Sequence, residues 1–329
     1  MPNLKHLEID VTQINKIGIK LKKLKHVNID NINYKIFHDI KINSLKNLIN
    51  IEYLKLGPRI SILLSSTNFI NLKKLYLGYC ISMKDEHIEN LVNLEALIIY
   101  NNKNITENAF KNLNKIKVLI LFETNITARV LQYLPNIECW SPDNINNDDG
   151  HKYIKSIKKL KILDLSFNNN IINEDIKNTK IEHIILCNNE IITINGLDKD
   201  IKKIDLCENN KIKDKDLKQL NLIYLNLQEN KTITNNGLKH LKNLKMLNLF
   251  LNKKITDKAL IYMKNLEYLN LKMTGIQYDW AEDNRITDLS LKKLIKLKYL
   301  NLENNINITN DGIKPLVNLE YLNIRDNKK

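Results

Sequence analysis

The sequence predicts an α/β solenoid of about fifteen repeats, with a parallel concave sheet and short helices or turns on the convex side. Three observations carry this. A thirteen-residue frame recurs, as LIYLNLQENKTIT at 222–234, LKMLNLFLNKKIT at 244–256 and LKYLNLENNINIT at 297–309. The first apolar residue of the frame falls at Leu4, Leu24, Ile51, Leu72, Leu94, Ile116, Ile137, Leu160, Ile181, Ile201, Leu222, Leu244, Leu266, Leu297 and Leu319, a mean period of 22.5 residues over fourteen intervals. Within each frame, positions one, four and six are apolar between polar residues, the alternation of a short strand with one buried face. A fixed period of this length overrides element-by-element reading, because one repeat cannot bury its own apolar face and must stack on its neighbours.

The elements of one repeat follow in order. Position nine is Asn in eight repeats: Asn102, Asn168, Asn189, Asn209, Asn230, Asn252, Asn305 and Asn327. Cys80 replaces it once, and Thr12, Thr124 and Thr274 replace it three times. Ile-Thr comes next, often before an acid, as in Ile105-Thr106-Glu107 and Ile255-Thr256-Asp257. The threonine is placed to cap a helix of about two turns, and the acid to meet its positive end. Leu260 with Met263, or Leu238 with Leu241, then gives that helix an apolar stripe.

The frame L-x-x-L-x-L-x-x-N-x-x-I-T resembles the leucine-rich repeat family over essentially the whole chain. Its N/C-x-x-I-T-[DE] portion is closest to the cysteine-containing subclass known from F-box proteins, and its period is nearer to internalin-like repeats. The resemblance implies that the position-nine Asn is buried and bonds the turn backbone, which accounts for an otherwise costly interior polar group. An F-box is not expected, because the repeats begin at Leu4. The sequence holds 50 Ile, 52 Asn and 47 Lys; with this bias it is also similar to leucine-rich repeat proteins of amoeba-infecting giant viruses.

Two intervals are long, 27 residues after Leu24 and 31 after Leu266. The second holds a nine-residue insertion at 277–285 containing Trp280, read as a loop whose tryptophan is a contact residue; the competing reading folds the ring back over the arc. Repeat seven carries Trp140 and Pro142 where leucines belong, so within a single domain of 1–329 a kink or break in pairing is expected near 135–155.

Position two alternates in sign from Lys73 to Glu320, with Ile223 where a Glu would fall. This is read as a structural cross-strand ladder. The Tyr224, Met246, Tyr268, Tyr299 and Tyr321 column, and the Asn226, Asn248, Asn270, Asn301 and Asn323 column beside it, are either stiffening ladders or a recognition surface. The sharper candidate is Tyr76, Tyr79, Ile98, Tyr100, Ile120 and Phe122, an apolar cluster on columns that face water. Phe250, with Leu251 and Met273, forms a smaller cluster near the C-terminal columns.

The net charge of +14 first suggests nucleic acid or an acidic membrane surface. The sixty concave positions hold five bases and eleven acids, however, so that face is minus six and the remaining surface about +20. The excess lies mainly on the convex side and rim and is almost all lysine, with four arginines, whereas base and phosphate recognition favours the guanidinium fork. Nucleic acid is therefore disfavoured.

No P-loop, G-x-S-x-G, H-E-x-x-H or dinucleotide turn occurs, and eight glycines leave little to build one from. No cofactor and no metal are expected. Cys187, Cys207 and His183 share a face, a pattern that small residues on neighbouring strands explain as well as a metal or redox site does. Neither a secretory leader nor an apolar run of spanning length is seen, which reads as an intracellular, cytoplasmic protein.

The sequence thus predicts a non-enzymatic scaffold that binds a protein partner on its concave face through Tyr76, Tyr79, Ile98, Tyr100, Ile120, Phe122, Phe250 and Trp280. Two alternatives stand beside it: electrostatic binding of nucleic acid or acidic membrane by the convex lysines, and a substrate-recognition arm of a ubiquitin-ligase-type assembly. Uncapped ends add end-to-end self-association as a further expectation.

Overall fold

Apart from the short pair at 40–42 and 60–62, every described strand starts at position three of the repeat, where alternation of side chains sends positions four and six into the core and positions three, five and seven outward. The structure is a computed structural model describing residues 3–10, 23–30, 40–42, 50–58, 60–62, 69–142, 149–273 and 286–327. These fall into two compact units, 1–161 and 162–329.

In the first unit, β1 (His6–Asp10), β2 (His26–Asp30), β4 (Tyr53–Leu56), β6 (Lys74–Gly78), β7 (Ala96–Tyr100), β8 (Val118–Phe122) and β9 (Cys139–Ser141) pair in that order, all parallel. A separate two-stranded sheet joins β3 (Ile40–Ile42) to β5 (Ile60–Ile62). Sequence patterning missed this pair; β3 lies within the 27-residue interval, which leaves chain to spare for it. The second unit holds eight parallel strands: β10 (Ile162–Asp164), β11 (His183–Ile185), β12 (Lys203–Asp205), β13 (Tyr224–Asn226), β14 (Met246–Asn248), β15 (Tyr268–Asn270), β16 (Tyr299–Asn301) and β17 (Tyr321–Asn323). The register is one repeat per strand, Leu225 beside Leu247 and Leu247 beside Leu269.

The core is the predicted one. Leu75, Leu77, Leu97, Ile99, Leu119 and Leu121 are buried in the first unit, and Leu225, Leu227, Leu247 and Leu249 in the second. Trp140 is also fully buried, filling the place of a position-four leucine, and β9 keeps register with β8 through Ser141. Residues 143–148, within the segment where a discontinuity is expected, lie outside the described residues.

The convex helices are shorter than the sequence suggests. Each of the six described α-helices, such as α4 (Asp257–Leu260), is a single turn of four residues, and the first-unit counterparts are 3-10 turns such as Glu107–Phe110. After α4, tight i+3 bonds from Met263 N–H to Leu260 O and from Leu266 N–H to Met263 O return the chain to the next strand. The apolar stripe survives, with Leu238, Leu241, Leu260 and Met263 all buried.

Position nine performs as the family resemblance implies. Asn230 Nδ2 donates to the carbonyls of Leu206 and Asn209, 2.9 and 2.8 Å away, while its Oδ1 accepts from the N–H groups of Thr232 and Ile233. Asn102, Asn189, Asn209 and Asn252 repeat this pattern. Cys80 takes the same site in its repeat, its thiol donating to Gly57 O at 3.2 Å.

Candidate functional site: an aromatic row on the open sheet face

The outward columns differ between the units for a reason that begins at position five. In the second unit that position is Asp or Asn on seven of eight strands, and its Oδ1 accepts the N–H of position seven: Asp164 from Ser166, Asp205 from Cys207, Asn226 from Gln228, Asn248 from Phe250, Asn270 from Lys272, Asn301 from Glu303 and Asn323 from Arg325. This local side-chain bond competes with the ladder; these strands are three residues long, as is β11, where Ile185 holds position five. The Asn column is therefore occupied in holding backbone. In β6, β7 and β8, position five is Tyr76, Ile98 and Ile120, which cannot accept such a bond, and these strands run to position seven. The face they present is apolar.

Five of the predicted residues are brought together there. Tyr76, Ile98 and Ile120 are cross-strand neighbours, as are Tyr100 and Phe122. The Tyr76 and Tyr100 ring centroids lie 5.6 Å apart, and those of Tyr100 and Phe122 5.8 Å apart. Tyr76 joins this row from the neighbouring column because position seven of its own strand is Gly78. A β-carbon there would lie 2.9 Å from Tyr76 Cε1, so the ring occupies the space a side chain would fill. Lys55 Nζ stands over the Tyr76 ring, 5.3 Å from its centroid, at one end of the row. Beside the row, Asn101 Nδ2 donates to Glu123 Oε2 at 2.7 Å.

Tyr79 and Phe122 remain 47% exposed. Tyr79 sits at position eight with φ 57°, and position eight is left-handed in ten repeats, among them Asn101, Glu123, Asn188, Glu208 and Asn304. That conformation lets its N–H reach the next repeat, as from Tyr79 to Tyr100 O at 2.9 Å. Asn and Asp tolerate it best, and a bulky apolar residue there is strained. Tyr79, Phe167 and Leu251 accept that strain, and the Tyr79 and Phe167 side chains are exposed. Phe167, 53% exposed, was missed from the sequence, although its place at position eight was legible.

The remaining predicted residues separate. Phe250 is half-buried in the second unit, with Lys272 Nζ 5.8 Å from its ring centroid and Lys272 paired to Glu303 at 3.0 Å. Trp280 lies outside the described residues. The tyrosine column stacks closely, Tyr268 on Tyr299 at 4.2 Å and Tyr299 on Tyr321 at 4.4 Å. Burial, with its stacked neighbours, pushes the Tyr299 hydroxyl up to about 12, and burial together with Asp205 does the same to Tyr224. Cys187 and Cys207 lie next to each other at position seven, and burial pushes both thiols up, away from the thiolate form a nucleophile or metal ligand needs. Among the described residues no group of three or more His, Cys, Asp or Glu could hold a metal ion.

Comparison with known proteins agrees with this repeat geometry. A family profile described as leucine-rich repeat matches residues 218–242 and 293–317. Over 169 residues, half of this chain, the sequence is 34% identical to a leucine-rich repeat-containing protein of Amsacta moorei entomopoxvirus. These matches support a leucine-rich repeat family. The chain spans about a third of that viral relative's length. Its fold is similar to the structure of a TLR13–ssRNA13 complex (TM-score 0.57, 19% identity, 92% of this chain and 46% of that one) and to that of the yeast Rad7–Elc1 complex (TM-score 0.51, 16% identity, 94% and 78%). No described helix is long and apolar enough to cross a membrane.

Proposed function

We propose that this leucine-rich repeat protein is a protein-interaction module without catalysis of its own, and that its partner docks on the open sheet face of the first unit. The observation that carries the reading is the row Tyr76–Tyr100–Phe122, three rings held 5.6 and 5.8 Å apart on paired strands, with Phe122 half in water. Aromatic residues on rigid elements give contact area at small entropic cost, and such anchors dominate interface energies. Tyr79, Ile98 and Ile120 frame the row, Phe250 and Trp280 extend the reading to the later repeats, and the acid-rich outward columns suit a neutral to basic partner with apolar anchors. An intracellular, cytoplasmic setting belongs to the same proposal, in keeping with four free thiols.

The test is a photo-crosslinker placed at Ile98, with crosslinked partners read by mass spectrometry. Tyr100→Ala with Phe122→Asp should abolish the crosslink and leave circular dichroism unchanged; an undiminished crosslink would sink the proposal. The electrostatic alternative predicts nucleic-acid affinity that falls steeply between roughly 50 and 200 mM salt. The recognition-arm alternative predicts co-purification with a second subunit that the aromatic double variant leaves intact.

A further inference from the structure

From Lys25 to Glu320 the position-two column alternates in sign on successive strands, and the pairing is realised in space. Glu52 bridges Lys25 and Lys73, Lys117 meets Glu95 at 2.9 Å, Lys245 meets Glu267 at 3.0 Å, and Lys298 meets Glu320 at 3.8 Å. The alternation omits one carboxylate, at Ile223. Backbone register is undisturbed there, since Ile223 N–H donates to Lys202 O at 2.8 Å and Lys245 N–H to Ile223 O at 3.0 Å. An isoleucine side chain therefore stands where two lysines, on the strands before and after, would each face a glutamate.

A pocket of about 450 Å³ has Ile223 in its lining. Lys202, Lys245 and Lys296 line it against the single acid Glu267. Lys245 is shared with Glu267, and Lys296 Nζ donates to Asn265 Oδ1 at 2.8 Å. Lys202 Nζ, like that of Lys161, has no partner among the described residues, and of the two only Lys202 adjoins an apolar position-two residue. Asn221 and Asn243 complete the lining, and the Asn243 amide donates to Asn221 Oδ1, leaving the Asn221 Nδ2 donors unpaired among the described residues. Lysine is a compact point charge with three donors, suited to an oxyanion. A glutamate at 223 would add two cross-strand charge pairs; the isoleucine forgoes them and leaves positive charge and amide donors around an apolar floor.

We propose that the pocket between Lys202 and Lys245 binds an anionic group, a phosphate or a carboxylate, carried on an apolar stem that rests on Ile223. The two lysines stand two strands apart, roughly 10 Å, so the group engages Lys202 first and draws on Lys245 and Asn221. The site is separate from the aromatic row, and its failure would leave the docking proposal standing.

The experiment is a titration followed by 1H–15N and methyl NMR with two probes, inorganic phosphate and the peptide acetyl-Glu-Glu-amide. Saturable shifts at Ile223, Lys202 and Asn221, with affinity on the order of 1 mM, are expected from at least one probe, and the tighter probe identifies the source. Ile223→Glu restores the alternation and should weaken binding at least about tenfold; Lys202→Gln should do the same, and Ile223→Leu should retain it. Absence of saturation by either probe in the wild type, or equal binding by Ile223→Glu, overturns the proposal.

Discussion

The carboxylate of Asp214 receives both the hydroxyl and the backbone N–H of Thr234, at 2.6 and 2.7 Å, so the first helical residue of one repeat holds the helix cap of the next. Thr234 in turn accepts the N–H of Asn236 as a cap. The same arrangement links Asp85 to Thr106, Asp257 to Thr287 and Asp288 to Thr309. From the sequence, the acid was assigned to its own helix end; the structure assigns it also to its neighbour. The contact explains Gly237, whose added β-carbon would lie 2.6 Å from Asp214 Oδ1.

Gly→Ala inside a helix ordinarily stabilises by about 0.5–1 kcal/mol. Gly237→Ala should instead destabilise, and the loss should shrink in an Asp214→Ala background. Asp214→Ala alone should cost about 1–3 kcal/mol through the orphaned Thr234 donors. Urea unfolding of the four proteins in this double-mutant cycle measures the coupling, and an additive result would refute it.

The buried Asn230 side chain makes four hydrogen bonds to backbone, two as donor and two as acceptor, and accepts a fifth from the Thr232 hydroxyl. Asn230→Ala leaves their backbone partners unpaired and should cost about 3 kcal/mol or more. Asn230→Asp presents two carbonyls with a group that lacks donors when ionised. Its deficit should therefore narrow as pH falls and the carboxyl gains a proton, a trend visible in denaturation midpoints at pH 7 and pH 4.

The lysine ladder holds its glutamates below the ordinary carboxylate range: Glu52 through its bond to Lys25, Glu95 through Lys117 and Glu267 through Lys245. Because the folded values lie below the unfolded ones, the contribution is present above the ordinary Glu range and is lost as pH drops below about 4. Thermal midpoints should fall between pH 6 and pH 3. These pairs are exposed, so about 1 M salt should reduce the component that Glu95→Gln removes.

Tyr224 and Tyr299 carry hydroxyls raised to about 12. A raised phenol stays neutral in the folded chain after its unfolded counterpart has ionised near pH 10, so stability should decline between about pH 10 and 12. Tyr299→Phe should flatten that decline. Absorbance titration should show the late-ionising class shrinking by one tyrosine.

The fold was legible because a period repeated fifteen times leaves one way to bury positions one, four and six, and the family resemblance implied the hydrogen bonds of position nine. The aromatic cluster was legible too, since Tyr76, Ile98 and Phe122 interrupt columns that are otherwise polar. Other features depended on neighbours that no single frame records. Phe167 looked like any turn residue until its left-handed backbone and exposure were seen, and the β3–β5 pair carried no repeat signature.

Sequence alone determined which residues face the core and which face outward, because strand alternation and repeat stacking act through local spacing. Tertiary structure decided how far those faces are free. It showed that the Asn column is bound to backbone whereas the Tyr76–Tyr100–Phe122 row is open, and that Ile223 lines a pocket. The physical reason is that hydrogen-bond satisfaction and cavity formation involve residues some twenty positions apart, each beside a neighbour that only stacking supplies.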